Sequence, residues 1–288
     1  MKYFGTDGIR MKAARFLEQD FAYRVGQSLA ALGCGHLIIA QDSRESSQSI
    51  KAAVVKGAQE QGISVYDIAM VPTPALAYLS EYYQTIGVMI TASHNPYFDN
   101  GIKVLVHGEK LKAEAELLLE KQIDHQSFTF LSRPRQLLPI SLQPYLDKFQ
   151  QLGSKSSLRV GFDLANGANS YFVPKVLKPY VPHAYYIHHN PDGKNINEAC
   201  GSTHLSAIRT FVQQEKLAIG FAFDGDGDRL LVVDSQGKNI DGDHLLYLYA
   251  VYLKQKGQLS QNKVVMSIMS NLGVIAAMKR QGIDVITT

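Results

Sequence analysis

The chain has 288 residues, 45% of them hydrophobic and 19% charged, the composition of a globular rather than a disordered protein. Its 29 basic and 26 acidic residues leave a net charge of +3, too balanced for a phosphate-backbone binder, so nucleic acid is excluded as a partner. No apolar stretch approaches the ~20 residues that cross a bilayer, the polar, glycine-rich Met1 to Arg10 is no signal peptide, and two distant cysteines, Cys34 and Cys200, fit a reducing cytoplasm.

Strand and helix signals alternate along the chain, which argues for an α/β fold. The opening Tyr3-Phe-Gly-Thr-Asp-Gly-Ile-Arg10 sets two glycines around Thr-Asp ahead of an arginine, a possible phosphate-contacting edge. The apolar run His36 to Ala40 reads as a strand, Gln41-Asp-Ser-Arg44 as a turn, and Ser49 to Gln61 as an amphipathic helix capped by Gly62. Asp42 and Arg44 read as turn formers. A similar unit begins at Leu158, with a turn over Asp163 to Asn169 and a helix near Tyr171 to Leu177. A third begins at Lys263, with a helix over Asn271 to Gln281. The phrases Gln61-Gly-Ile-Ser-Val and Gln281-Gly-Ile-Asp-Val nearly match. Length alone suggests about two domains, but the repeat suggests three related ones. The expected division is 1–133, a linker over 134–155, a second domain over 156–255, and the beginning of a third over 256–288. That last stretch is too short to close a core of its own, so either the chain is a fragment or its tail packs on a neighbour.

Within the first unit, Ile86 to Thr91 is an apolar strand leading into Ala92-Ser93-His94-Asn95-Pro96 and then Asp99-Asn-Gly-Ile-Lys103. Pro96 biases Asn95 away from helix, so the segment is a loop. The small Ala92 is expected to leave the Ser93 hydroxyl accessible. A serine nucleophile needs a base, a metal or a pre-attached phosphoryl group, and His94 and Lys103 are candidate proton carriers or charge partners. Glu109 to Gln122 reads as a scaffold helix with Leu111, Leu117 and Leu118 inward.

The sharpest local pattern is Phe221-Ala-Phe-Asp224-Gly-Asp226-Gly-Asp228-Arg229, between two apolar strands. The glycines let the backbone fold tightly enough for alternating carboxylates to face one point. Three like charges so placed repel unless a cation sits among them. Mg²⁺ suits a few hard oxygens and keeps places for water and phosphate, and Arg229 can grip a phosphate with two prongs. An EF-hand loop would need glycine and glutamate at its sixth and twelfth positions; Arg229 and Ser235 stand there instead. A phosphatase with Asp224 or Asp226 as nucleophile is a rival that leaves the third carboxylate and the serine loop unexplained. Asn195 to His204 is a polar loop, equally readable as a surface connection or as part of a site.

These segments, together and in this order, resemble the α-D-phosphohexomutases. Tyr3 to Arg10 and Asn195-Ile-Asn-Glu-Ala-Cys-Gly-Ser-Thr resemble the phosphoglucosamine mutase branch in particular. The resemblance covers essentially the whole chain. It implies repeated three-layer α/β/α domains with mixed sheets, and Ser93 as carrier of a phosphoryl group. It implies Asp224, Asp226 and Asp228 as ligands of one Mg²⁺, with an oxygen of phosphorylated Ser93 completing the set. Arg10, Arg229, His94 and Lys103 fall where such enzymes hold phosphate and move protons, with Lys103 expected as general base. The implied substrate is a phosphorylated hexosamine, interconverted between its 6- and 1-phosphates through a bisphosphate; a glucose or mannose mutase, or a catalytically incomplete metal- and phosphate-binding remnant, are the alternatives. A homodimer is admitted as well. Two departures accompany the resemblance. Met11 stands where the family usually has glycine. Neither the sugar-selecting Glu-Ser-Gly loop of a third domain nor the phosphate-gripping Arg-Ser-Gly-Thr segment of a fourth is found in these residues.

Overall fold

The computed structural model describes residues 1–125, 140–150 and 155–288. In the first unit the elements run β1 (Phe4–Gly5), β2 (Gly8–Lys12), α1 (Phe21–Ser28), β3 (His36–Gln41), α2 (Ser47–Glu60), β4 (Ser64–Met70), α3 (Thr73–Tyr82), β5 (Ile86–Ile90), β6 (Asp99–Val106), β7 (Glu109–Lys110) and α4 (Ala113–His125). They form a seven-stranded sheet in the order β1-β2-β6-β5-β3-β4, with β7 on β6. β3 lies parallel to β4 and β5, while β6 runs antiparallel to β5 and β2, so the sheet is mixed.

The apolar run in β3 has no polar face because both sides of its sheet are covered. Leu37 and Ile39 point into the core beneath α1 and α2, whereas Ile38 and Ala40 join Leu76 and Leu79 of α3 on the other side. Glycines let α1 and α2 meet backbone to backbone. A Cβ at Gly26 would sit 2.1 Å from the Val54 carbonyl oxygen, and one at Gly57 equally close to that of Tyr23.

The second unit contains α5 (Gln143–Gln150), β8 (Val160–Asp163), α6 (Asn169–Leu177), β9 (Ala184–Ile187), α7 (Ser206–Gln214), β10 (Ile219–Phe223), β11 (Leu230–Asp234) and β12 (Asn239–Ile240). Its sheet order is β12-β11-β10-β8-β9, parallel through β10-β8-β9 and antiparallel from β10 to β11. The third comprises α8 (Gly242–Gln255), β13 (Lys263–Met266), α9 (Leu272–Arg280) and β14 (Asp284–Thr287), with β13 and β14 parallel.

Three sequence expectations change. The stretch read as a linker over 134–155 contains α5, whose Tyr145 stacks on Phe172 of α6 and lies 5.6 Å from the ring of Tyr78 on α3. Aromatic burial between two units thus makes this segment a strut; residues 134–139 and 151–154 of it, with 126–133 of the first expected domain, lie outside the described residues. The helix α8, expected in the second unit, buries Ala250 against Val264, Met266 and Met278 of the third. That helix gives the third unit a small apolar cluster of its own. In α4, Leu117 and Leu118 are exposed, and Glu116, Leu119, Glu120 and Ile123 are the buried positions. The inward face follows the helical spacing of three and four residues, one step out of phase with the leucines picked from sequence. Among the described residues no helix is long and apolar enough to cross a membrane.

Candidate active site

The serine loop leaves the sheet at the end of β5, where all five residues are buried. Ser93 adopts a left-handed backbone, φ 54°, a conformation that costs a side-chain-bearing residue roughly 1 kcal/mol. It persists because the loop is held from several sides. The Ser93 amide donates to Thr91 Oγ1 at 2.9 Å, and Thr91 Oγ1 donates to Asp42 Oδ2 at 2.7 Å. Arg44, its side chain fully buried, pairs with Asp42 at 2.9 Å. It also donates to the carbonyls of Ser93 (2.9 Å), Asn95 (2.8 Å), Asp99 (3.0 Å) and Pro96. The two residues read as turn formers are therefore the scaffold of the serine loop. From the second unit, Asn197 Nδ2 donates to the Ser93 carbonyl at 2.9 Å.

The carboxylate loop connects β10 to β11 and packs directly on the serine loop. Gly225 permits the approach: a Cβ there would lie 2.6 Å from the Ser93 carbonyl oxygen and 2.8 Å from Asn197 Nδ2. Ser93 Oγ donates to Asp224 Oδ2 at 2.7 Å. Ser93 is consequently buried, contrary to the expectation of an accessible hydroxyl, because the neighbouring unit closes over it.

Carboxylate oxygens of Asp224, Asp226 and Asp228 lie within 4.8 Å of one another. Lys103 Nζ reaches Asp226 at 2.7 Å, Asp228 at 2.8 Å and Asp7 at 2.9 Å. Thr73 Oγ1 donates to Asp226 Oδ2 at 2.7 Å. Burial, reinforced by the charge of Asp226, pushes the Asp224 carboxyl up to about 7. For Asp226, burial is outweighed by the Lys103 ammonium, and its carboxyl stays below the usual range. Burial likewise opposes charge on Lys103, but Asp226 and Asp228 win, and the amine is held protonated. In this arrangement Lys103 faces the carboxylates of Asp7, Asp226 and Asp228 as their charge partner.

The remaining candidates form a rim. Arg10 pairs with Asp7 at 2.5 Å and so joins the Lys103 cluster. Arg229 is half exposed, its Nε 3.9 Å from Asp224 and 4.0 Å from Asp228. His94 Nδ1 lies 3.4 Å from Ser93 Oγ. Burial, then the charges of Arg229 and Arg10, push its imidazole below the usual histidine range. All eight residues singled out in the sequence thus border one locus. Thr73, Asn197 and the brace formed by Asp42 and Arg44 were missed; Thr73 carries no sequence signal, whereas Asn197 lay in a loop already noted.

The phosphoglucomutase/phosphomannomutase alpha/beta/alpha domains I, II and III match residues 1–130, 143–237 and 241–288 in turn. The chain belongs to the phosphoglucomutase/phosphomannomutase family. It is 42% identical over 288 residues to a phosphoglucosamine mutase of Lachnoclostridium phytofermentans, covering 95% of this chain and 64% of that protein. It is 35% identical over 293 residues to a phosphoglucosamine mutase of Thermosipho africanus, covering 100% of this chain and 68% of that protein. This phosphohexomutase chain thus spans about two thirds of the length of curated relatives it matches. Its fold is shared by a phosphoglucomutase/phosphomannomutase family protein of Burkholderia thailandensis, with a TM-score of 0.82 at 23% identity over 97% of this chain and 64% of that one.

Phosphohexomutases use a metal ion, and the residues present fit one. Two buried carboxylates and a third more exposed one converge, and burial raises one of them toward neutrality for want of enough positive charge. Asp226 Oδ1 is buried without a hydrogen-bond partner. An all-oxygen donor set of this kind suits a hard divalent cation.

Proposed function

We propose that this chain carries the phosphoryl-transfer half of a phosphoglucosamine mutase, interconverting glucosamine 6-phosphate and glucosamine 1-phosphate. The observation that carries the reading is the contact of Ser93 Oγ with Asp224, inside a nest of carboxylates faced by Lys103. In phosphorylated form, Ser93 gives its phosphoryl group to a sugar hydroxyl. The Oγ–phosphorus bond breaks, a sugar oxygen–phosphorus bond forms, and the hydroxyl proton leaves. The bisphosphate turns over, and its other phosphoryl group returns to Ser93 Oγ. Transfer of this kind depends on positioning and on neutralising charge.

Asp224, Asp226 and Asp228, with a phosphoryl oxygen on Ser93, would hold Mg²⁺, which when bound supplies charge neutralisation at the transferring group. Were a cation to share the carboxylates of Asp226 and Asp228, they would hold the Lys103 proton less firmly, and Lys103 would be placed to take the hydroxyl proton. His94, kept neutral by burial and by two arginines, is placed to exchange a proton beside Ser93. Arg10 and Arg229 are assigned to the substrate's phosphates. The identity with phosphoglucosamine mutases supports a hexosamine over glucose or mannose. Cytoplasmic residence and supply of amino-sugar precursors belong to the same proposal.

The test is to incubate the chain with Mg²⁺ and glucosamine 1,6-bisphosphate and locate the label by mass spectrometry, then assay glucosamine, glucose and mannose 6-phosphates. One phosphoryl group on Ser93 is expected, and any turnover should favour glucosamine. Absence of phosphoserine at Ser93 overturns the proposal, and a preference for glucose or mannose overturns the substrate assignment.

A further inference from the structure

A second constellation of metal-binding side chains lies in the second unit, away from the carboxylate loop. Asp163 ends β8. His188 follows β9, whose last residue, Ile187, pairs in register with Asp163. Cys200 immediately precedes the short turn Gly201–Thr203, whose Gly201 amide donates to Asp163 Oδ2 at 2.9 Å. One ligand atom of each, a carboxylate oxygen, an imidazole nitrogen and the thiol sulfur, lies within 4.8 Å of the other two. Asp163 and Cys200 are fully buried.

The contact between His188 and Asp163 is the informative one. Nδ1 of His188 approaches Asp163 Oδ1 to 3.1 Å, and the contact with that carboxylate raises the imidazole above the usual histidine range, so a cation would have to displace a proton here as well. His188 reaches that position from a left-handed backbone, φ 47°, which a histidine adopts at a cost. Bonds of 2.0–2.3 Å from zinc to nitrogen, oxygen and sulfur put tetrahedral neighbours roughly 3.3–3.8 Å apart. The spacings here, 3.1 Å for His188 and Asp163 and at most 4.8 Å among the three ligand atoms, bracket that range. An open cleft of about 440 Å³, lined by His188, Ser206, Thr210 and Phe211, borders the imidazole side of this group.

We infer that Asp163, His188 and Cys200 form a three-ligand site for a thiophilic divalent cation such as Zn²⁺, with water as the fourth ligand. The sulfur sets this site apart from the all-oxygen carboxylate loop, because thiolate prefers softer ions than Mg²⁺. Burial, then the charge of Asp163, pushes the Cys200 thiol up to about 12, so binding must displace its proton to solvent. The site also holds one end of the loop whose Asn197 grips the Ser93 carbonyl at 2.9 Å. Occupancy would stiffen that loop and hence the seat of the serine.

Cobalt(II) is the probe, since a cysteine thiolate bound to it gives a near-ultraviolet sulfur-to-metal charge-transfer band that carboxylates cannot produce. The chain should bind one equivalent with that band. Cys200→Ser should abolish it, and His188→Ala should abolish it or weaken binding at least tenfold, with circular dichroism showing both variants folded. Cys34→Ser should leave it unchanged, and Zn²⁺ should displace it. No band with the intact chain, a band lost in Cys34→Ser, or a band indifferent to His188→Ala each overturns the inference.

Discussion

Ser93 Oγ and Asp224 Oδ2 lie 2.7 Å apart although 131 positions separate them in the chain. The nucleophile candidate stands on the first sheet and its charged neighbour on the second, so the site exists only when the two units pack together. Replacement of the hydroxyl should abolish phosphoryl uptake altogether. Ser93→Ala and Ser93→Gly are both expected to lose it, as read by intact mass after incubation with a bisphosphate. Their stabilities should differ, because φ at residue 93 is 54°. Glycine relieves a left-handed strain that alanine keeps, so Ser93→Gly should be the more stable by about 1 kcal/mol in denaturant unfolding. Uptake that survives in either variant would exclude Ser93 as the carrier.

Asp226 offers a buried oxygen without a partner to a cation. A unit of ligand charge at ~4 Å and an effective dielectric of ~20 is worth about 4 kcal/mol, against the ~1.4 kcal/mol that a factor of ten requires. Asp226→Asn should therefore weaken Mg²⁺ binding by at least about tenfold in calorimetry. The intact chain should gain about 2.7 kcal/mol of stability at a hundred times the dissociation constant, and the variant should gain no more than about 1.4 kcal/mol at the same Mg²⁺ concentration. Equal affinities would remove Asp226 from the metal site.

Arg44 is a buried cation that satisfies Asp42 and four loop carbonyls at once. Arg44→Ala leaves a buried carboxylate unpaired and should cost about 3–5 kcal/mol. Arg44→Lys keeps the charge but not the planar fork, so it should recover only part of that loss. Both should slow phosphoryl uptake by loosening the serine loop. A stability within 1 kcal/mol of the parent for Arg44→Ala would show the brace to be dispensable.

The carboxylate and serine loops were legible in sequence because each concentrates reactive side chains within a few residues, between apolar strands that had to be buried. The turn at Gly62 and that at Gly282 were legible too, since both adopt positive φ, 75° and 64°. What joins the loops was not legible. Thr73 meets Asp226 across 153 positions and Asn197 meets Ser93 across 104; nothing in the chain around Thr73 marks it, and the loop around Asn197 is marked without showing what it touches. The inward face of α4 escaped for another reason. Its buried positions include two glutamates, Glu116 and Glu120, so a search for apolar residues chose the wrong leucines.

Glu120 shows what such a buried acid does, because it receives the backbone N–H groups of Lys2 (2.9 Å), Tyr3 (2.6 Å) and Phe4 (2.9 Å). It thereby anchors the segment that carries Asp7 and Arg10 toward Lys103. Burial alone would raise its carboxyl, but the three N–H donors outweigh it and hold the group below the usual glutamate range. A lowered folded value means stability that is fully present above the unfolded value, about 4.3, and lost as pH falls through the folded one. Glu120→Gln should therefore be less stable than the parent by a constant margin from about pH 6 upward. That margin should shrink progressively below about pH 4, as the parent's carboxylate takes up a proton and comes to resemble the amide. Urea unfolding of both proteins across this range measures it, and a margin that does not narrow on acidification would show that the carboxylate's charge is not what anchors the N-terminal segment.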